Sequence, residues 1–130
     1  MIVLDASALI DLLLRGDGVE GIEERVFAPG ETLHAPHLID LEVAQVLRRY
    51  RLAAELSDAR AEIAFADLAA LSVQRYPHDV LLPRIWALRH NASAYDAAYL
   101  ALAEALNAPL LTRDRRLAAS HGHRARIEVI

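Results

Sequence analysis

The chain has 130 residues, of which 55% are hydrophobic and 25% are charged, and its net charge is −4. This length fits one domain over residues 1–130, with enough apolar residues for an ordinary core. The absence of cysteine excludes disulfides, thiolate zinc sites and cysteine nucleophiles. An acidic protein that binds nucleic acid needs either a local basic patch or a metal ion between its carboxylates and the phosphates.

The first elements in chain order alternate between strand and helix. Ile2–Leu4 is a short apolar run that predicts a buried strand, and it ends at Asp5. A helix over Ala6–Leu14 follows and is stopped by an Arg-Gly-Asp-Gly turn signal. A weaker helix is predicted over Val19–Phe27, and a second strand over Glu31–Ala35.

The middle of the chain is predicted to be helical. A helix opens at Pro36, and its apolar residues recur at helical spacing: Ile39, Val43, Val46, Leu47 and Tyr50. Another long helix is predicted over Ser57–Gln74. A third runs through Ile85 and Leu88, with Pro83 placed in its first turn.

The last third contains a nearly all-apolar segment, Ser93–Asn107, which predicts a buried helix. A strand over Leu110–Thr112, a short helix over Asp114–Ser120 and a last strand over Arg126–Ile130 follow. Short apolar strands separated by helices predict an α/β fold, a parallel β-sheet flanked by helices on both faces in a Rossmann-like three-layer arrangement. Ligands bind such sheets beyond the carboxyl ends of the strands.

Two acidic residues follow predicted strands directly. Asp5 ends the first strand, and Asp114 comes two residues after the strand that ends at Thr112. Each could bind a metal ion at the edge of the sheet. Each could instead cap the helix that follows it, because aspartate is a favoured N-cap residue.

Two further acidic residues lie on predicted buried helices. Glu42 borders the apolar stripe of its helix, so its carboxylate must be paired, protonated or bound to a cation, and Arg49 is a candidate partner. Asp96 interrupts an apolar segment and, with Ser93, resembles a capping box. An ionised Asp96 would suit both a helix N-terminus and a metal ion.

Taken together, these four acids predict a metal site more strongly than any one of them does alone. Four carboxylates brought close together repel one another unless a divalent cation neutralises them. Ligation by oxygen alone favours Mg²⁺ or Mn²⁺ over zinc. Such an ion suits phosphodiester hydrolysis, because it activates a water and stabilises charge on the phosphoryl oxygens.

The sequence resembles the PIN-domain ribonucleases, in particular the VapC toxins of bacterial toxin–antitoxin pairs. Four segments carry the resemblance in the order typical of the family and span almost the whole chain: Ile2–Leu9, Ala35–Val43, Ser93–Ala103 and Leu110–Asp114. The resemblance implies a PIN-like sheet at whose edge Asp5, Glu42, Asp96 and Asp114 meet as metal ligands and catalytic residues. The first three match the essential trio, and Asp114 matches a more variable fourth acid.

The same resemblance implies Mg²⁺- or Mn²⁺-dependent endonucleolytic cleavage of RNA, with 5′-phosphate and 3′-hydroxyl products because water attacks. Ser7 and Thr112 match small hydroxyl residues that orient a carboxylate or a water. A homodimer and a partner antitoxin, whose tail covers the acidic site, are also implied. The alanine- and leucine-rich segment Leu52–Tyr76 is compatible with an interface helix or with a core helix.

The remaining polar and aromatic residues suggest supporting roles. Three arginines around Asp114 are candidates for contacts with RNA phosphates, or are solvated surface residues: Arg113, Arg115 and Arg116. His121 and His123 are interpreted as a surface loop. Trp86 and the tyrosines are expected in the core, with no cluster for base stacking.

The sequence also bears on the location of the protein and on alternative functions. No basic leader and no apolar stretch of roughly 18 residues is visible, so we expect a cytoplasmic protein without contact to a membrane. An aspartyl-phosphate enzyme is disfavoured, because Ser7 stands where a second acid is typical and the chain has no lysine. A solitary PIN nuclease outside a toxin–antitoxin pair, or a PIN-like module that only binds RNA or protein, stays open.

Overall fold

Five parallel strands form a central sheet in the computed structural model, which describes all residues, Met1–Ile130. Their order across the sheet is β3-β2-β1-β4-β5. Every neighbouring pair is parallel. The strands are β1 (Ile2–Leu4), β2 (Leu33–Pro36), β3 (Val73–Tyr76), β4 (Leu110–Thr112) and β5 (Ile127–Val129).

Seven helices surround this sheet. They are α1 (Ala6–Leu14), α2 (Val19–Val26), α3 (Leu38–Leu52), α4 (Asp58–Ala70), α5 (Leu82–Ala87), α6 (Ala94–Leu106) and α7 (Arg115–Ala118), and a short 3₁₀ turn precedes α5. Helix α6 packs against β1, β2 and β4 and against α5, whereas α1 packs against α2, α3, α4 and β4. The predicted α/β architecture is therefore confirmed. None of the helices combines the length and the apolar character needed to cross a membrane.

A continuous core of 34 buried apolar residues lies between the sheet and the helices. The whole of β1 is buried, as are seven consecutive residues of α6, from Ala97 to Ala103. This explains why both segments are almost purely apolar in the sequence. One shared core supports the proposal that residues 1–130 form one domain.

The order of the strands creates a switch point between β1 and β4. Strands β2 and β3 lie on one side of β1 in the sheet, and β4 and β5 lie on the other side. The carboxyl ends of β1 and β4 lie side by side, and the Asp5 N–H donates to the Leu111 carbonyl at 3.2 Å. Parallel α/β sheets bind their ligands beyond such a point.

The sequence-based assignment was wrong at β3. The predicted helix over residues 57–74 ends at Ala70, and Val73–Tyr76 form an edge strand paired with β2. Only Val73 of this strand is buried, so no apolar alternation marks it. Its stability comes from hydrogen bonds to a distant segment, which a local pattern does not contain.

The boundary between β2 and α3 is also shifted. The strand spans Leu33–Pro36 instead of beginning at Glu31, and Pro36 ends it instead of opening the helix. His37 occupies the N-cap position of α3 without a side-chain capping bond. By contrast, α6 has Ser93 as its N-cap and Asn107 as its C-cap, which confirms the prediction for that helix.

Candidate active site

The carboxylate of Asp5 is held at the end of β1 by three donors. The Ser7 hydroxyl donates to its Oδ1 at 2.6 Å, and the backbone N–H of Ala8 donates to the same oxygen at 3.0 Å. The Thr112 hydroxyl, at the end of β4, donates to Oδ2. Asp5 is only 6% exposed. It therefore caps α1, as one interpretation of the sequence held, and it also faces the strand that leads to Asp114.

Ser7 and Thr112 connect the ends of β1 and β4. Besides donating to Asp5, the Thr112 hydroxyl accepts the backbone N–H of Asp114 at 2.9 Å. The Ser7 hydroxyl accepts the backbone N–H of Arg113, also at 2.9 Å. Each hydroxyl thus fixes the Asp5 carboxylate on one side and the loop after β4 on the other. The orientation of Asp5 and the position of Asp114 are consequently set together.

Glu42 projects from α3 and is half-buried. Its one hydrogen-bond partner is the hydroxyl of Tyr99, which donates to Oε1 at 2.7 Å. The suggested pairing with Arg49 was wrong, since Glu42 takes part in no ion pair. Tyr99 was not singled out from the sequence. The available signal was its position three residues after Asp96, which puts the two on neighbouring positions of one helix face.

Asp96 lies in the first turn of α6. The Ser93 hydroxyl accepts its backbone N–H at 3.1 Å, which is the N-cap bond expected of that pair. Ser93 is the one side chain whose hydrogen bond lowers the pKa of the Asp96 carboxyl, and this carboxylate takes part in no ion pair. This acid therefore keeps oxygen lone pairs available at the N-terminus of a buried helix.

Asp114 is the N-cap residue of α7. Its Oδ1 accepts the backbone N–H of Arg116 at 2.8 Å, and the Arg116 guanidinium lies 3.5 Å from the same oxygen. The capping interpretation is confirmed here too. Capping leaves the second oxygen, Oδ2, without a protein partner.

Burial and mutual repulsion act on these acids together. Desolvation by burial is the main cause that raises the pKa of Asp5 above its usual value, and the charge of Asp114 adds to it. Partial burial likewise raises the pKa of Glu42, reinforced by Asp5 and Asp96. Burial and then Asp114 raise the pKa of Asp96, and a hydrogen bond from Ser93 and the charge of Arg116 partly counteract this rise. The four carboxylates are therefore close enough to repel one another, and the 94% exposed Arg116 is the one basic side chain acting on them.

The chemistry of these donors fits a hard divalent cation. All are carboxylate or hydroxyl oxygens, and three acids share a raised pKa that a cation would relieve. No group of three or more acidic or histidine side chains is already drawn together around one point. Glu42 and Asp114 each keep one oxygen that accepts no hydrogen bond, and Asp5, which accepts three, still has a lone pair for an ion.

A pocket of about 270 Å³ opens beside two of the acids. Its walls are the start of α6, with Ser93 and Asp96, and the start of α7, with Asp114 and Arg116. The pocket lies beyond the carboxyl end of β4, on the side where α/β sheets bind ligands.

The three arginines around Asp114 differ in their contacts. Arg115 and Arg116 are exposed. The Arg113 guanidinium is instead held within the protein, where it donates to Asp11 at 2.5 Å, to the Ile130 carbonyl at 2.7 Å and to the Asp17 carbonyl. These contacts argue against the suggested role of Arg113 in binding phosphate, and leave Arg115 and Arg116 as candidates.

Two aromatic residues expected in the core lie on the surface. Trp86 and Tyr95 are each 68% exposed, and the Arg89 guanidinium lies 4.8 Å from the centre of a Trp86 ring. Helix α5 buries only Ile85, so its short amphipathic pattern was insufficient to place Trp86. His121 is exposed and His123 half-buried, and neither belongs to a group able to hold a metal ion, in agreement with a surface loop.

The raised pKa of Asp96 predicts a cost to stability at neutral pH. A carboxyl whose pKa is higher in the folded than in the unfolded state favours folding at low pH, and this advantage is lost as pH rises through the folded pKa. Without divalent ions, Asp96→Asn should therefore unfold at a higher temperature than the unsubstituted chain at pH 7.5. The difference should shrink toward pH 4, near the usual value of 3.8.

Thermal unfolding in EDTA, followed by circular dichroism at several pH values, measures this difference. Asp67→Asn is the matched control, because Asp67 is exposed on α4 outside the acidic site. A stability gain that Asp67→Asn reproduces, or that grows at low pH, would contradict the expectation.

Comparison with known proteins places this arrangement in a family. Residues 2–120 match the sequence model of the PIN domain. Two curated relatives from Mycobacterium tuberculosis strain H37Rv align over nearly the full length of both chains. Ribonuclease VapC1 is 44% identical over 98% of this chain and 96% of its own. Ribonuclease VapC12 is 40% identical over 100% and 99%.

Solved structures agree with the sequence comparison. PAE2754 from Pyrobaculum aerophilum superposes with a TM-score of 0.68 at 28% identity, over 98% of this chain and 83% of that one. M. tuberculosis VapC20, described as a sarcin–ricin loop cleaving toxin, also gives 0.68, at 19% identity over 92% and 94%. The latter likeness concerns the fold alone. The chain belongs to the PIN domain family, among the relatives of the VapC ribonucleases.

Proposed function

We propose that this protein is an Mg²⁺- or Mn²⁺-dependent endoribonuclease that acts as the toxin of a toxin–antitoxin pair in the cytoplasm. The observation that carries the proposal is the set of four acids at the switch point of the sheet. Their charges repel one another, and only one exposed arginine compensates them. Such an arrangement lowers stability, which is typical of functional sites.

The residues divide into ligands and supports. Asp5, Glu42, Asp96 and Asp114 would hold the divalent ion through carboxylate oxygens. Ser7 and Thr112 fix the Asp5 carboxylate, as their hydrogen bonds support. Asp114 is auxiliary, because one of its oxygens already caps α7 and pairs with Arg116.

When bound, the ion would supply a Lewis acid that lowers the pKa of a water and offsets the charge developing on the scissile phosphate. The unbonded oxygens of the acids would orient that water, and Asp96 is well placed for this because its carboxylate takes part in no ion pair. Attack by water instead of the ribose hydroxyl leaves 5′-phosphate and 3′-hydroxyl ends.

Substrate RNA would lie across the pocket between α6 and α7. Arg115 and Arg116 are exposed at the start of α7 and would contact backbone phosphates on either side of the scissile bond. Their positive charge would attract the RNA phosphates, which the protein's net charge of −4 would otherwise repel. Phosphate contacts of this kind position RNA without selecting its sequence.

Cleavage of total RNA tests the proposal. In Mg²⁺ the purified chain should produce fragments with 5′-phosphate ends, and EDTA should stop the reaction. Asp5→Asn should lower the rate by roughly a hundredfold or more, the loss typical when one preorganised group that stabilises the transition state is removed. The control Asp67→Asn should cleave like the unsubstituted chain.

Equal cleavage by Asp5→Asn would show that a contaminating nuclease is responsible and would refute the assignment. Binding of RNA without metal-dependent cleavage would favour the PIN-like binding module instead. Cleavage by a chain whose neighbouring gene encodes no small DNA-binding protein would favour a solitary PIN nuclease.

A homodimer and an antitoxin partner complete the proposal, and α4 supports the existence of a protein interface. Only Ala64 and Leu68 of this helix are buried, whereas Ile63 is 54% and Phe65 43% exposed. The interface interpretation of this segment therefore agrees better with the structure than the core interpretation.

Light scattering measures the oligomeric state. We expect a dimer for the unsubstituted chain and a shift toward monomer for Ile63→Asp, because a charge on a buried interface opposes association. Ala69→Asp, on the exposed surface of the same helix, tests whether any new charge on α4 has this effect. A monomeric unsubstituted chain would contradict the homodimer.

A further inference from the structure

Two contacts fix the start of α3 but leave the Glu42 side chain undetermined. The Nε2 atom of His78 accepts the backbone N–H of Leu38 at 2.9 Å. The Arg75 guanidinium, on β3, donates to both oxygens of Asp40 at 2.6 and 2.8 Å. These contacts set the helix against the sheet. The Glu42 carboxylate, however, lies three rotatable bonds away from the backbone that they hold.

Tyr99 supplies the missing constraint on Glu42. Its hydroxyl donates to Glu42 Oε1 at 2.7 Å, and no other protein group bonds or pairs with this carboxylate. Tyr99 is 2% exposed, so its ring is immobilised in the core beneath α6. A rigid donor of this kind selects one orientation of a flexible glutamate.

Tyr99 also links Glu42 to Asp96. The two residues of α6 are three positions apart, which places them about 60° apart around the helix axis and one turn apart along it. The charges of Glu42 and Asp96 interact. The hydroxyl of Tyr99 therefore sets the position of an acid on α3 relative to an acid on its own helix.

We propose that Tyr99 is a positioning residue of the metal centre: its hydroxyl holds one oxygen of Glu42 and leaves the other free to bind the divalent ion. This inference rests on the proposed function of the acidic site. Tyr99 itself contacts neither metal nor RNA, and acts through Glu42 alone.

A neutral donor suits this task better than a cation. An arginine or lysine at this place would orient Glu42 but would also neutralise the negative charge that the ion requires. A hydroxyl donates one hydrogen bond and leaves the carboxylate anionic. Removal of such an outer partner of a metal ligand typically weakens metal binding by about tenfold to a hundredfold.

Calorimetric titration with Mn²⁺, without RNA, tests the inference. Tyr99→Phe keeps the buried ring and removes only the hydroxyl, and we expect its dissociation constant for Mn²⁺ to rise at least about tenfold. Tyr76→Phe is the matched control. It also deletes a hydrogen-bonded tyrosine hydroxyl, 2.8 Å from His34 Nδ1, but outside the acidic site. Its Mn²⁺ affinity should equal that of the unsubstituted chain.

A double-mutant cycle separates action through Glu42 from a general structural effect. Glu42→Gln should weaken Mn²⁺ binding on its own, and adding Tyr99→Phe to it should cause no further loss, because residues that act through one another are not additive. Glu42→Asp provides a second variant with an intact core. It retains the charge but withdraws the carboxylate from the Tyr99 hydroxyl, and it should lose affinity to a similar extent as Tyr99→Phe.

Unchanged Mn²⁺ affinity in Tyr99→Phe or in Glu42→Asp would overturn the inference. The same conclusion would follow if Tyr99→Phe weakened binding equally with and without Glu42. In both cases the proposed function would stand, provided that the unsubstituted chain binds Mn²⁺ and Asp5→Asn weakens that binding. If the unsubstituted chain bound no Mn²⁺ at all, the metal centre and this inference would fail together.

Discussion

The Asp5 carboxylate lies buried where β1 and β4 end side by side, and hydroxyl groups from both sides of that junction hold it there. Ser7 and Thr112 each bond Asp5 and, in addition, a backbone N–H of the loop after β4. A change in the pairing of β1 with β4 would therefore move Asp5 and Asp114 apart. The position of the acidic site depends on this junction, because it is the point at which the order of the strands reverses.

The acids come from four separate elements, and each is held by different means. Glu42 reaches the site from α3 and is oriented by Tyr99. Asp96 lies in the first turn of α6, where the Ser93 hydroxyl accepts its backbone N–H. The protein provides hydrogen-bond partners for the helix N-termini and the backbone around these residues. It supplies almost no positive charge to offset the negative charge of the four carboxylates. This combination of a well-ordered frame with uncompensated carboxylates is what a site for a divalent cation requires.

Much of this arrangement could be predicted from the sequence, because local signals marked it. Asp5 and Asp114 follow short apolar runs, and both cap the next helix, so the capping interpretation is confirmed for residues that are also the proposed metal ligands. The apolar segment around Asp96 gave a buried helix with correct caps. The parallel α/β class followed from the alternation of such segments, and the family comparisons agree with it.

The features that were missed depend on contacts between distant residues. Strand β3 is defined by its pairing with β2, and the partner of Glu42 lies 57 positions away along the chain. Neither partner can be identified from local spacing. Trp86 was assigned to the core because large aromatic residues are usually buried, but α5 is too short to cover it. The guanidinium of Arg113 is likewise committed to Asp11, Asp17 and Ile130, a fact visible only in three dimensions.

The central claim is that these carboxylates form a divalent metal centre at the switch point of the sheet. Crystals of the unsubstituted chain grown with Mn²⁺, measured at the manganese absorption edge, test it most directly. We predict an anomalous difference peak within about 2.5 Å of carboxylate oxygens from at least two of Asp5, Glu42 and Asp96. Ordered side chains with no anomalous peak between them, or a peak only elsewhere on the surface, would contradict the account.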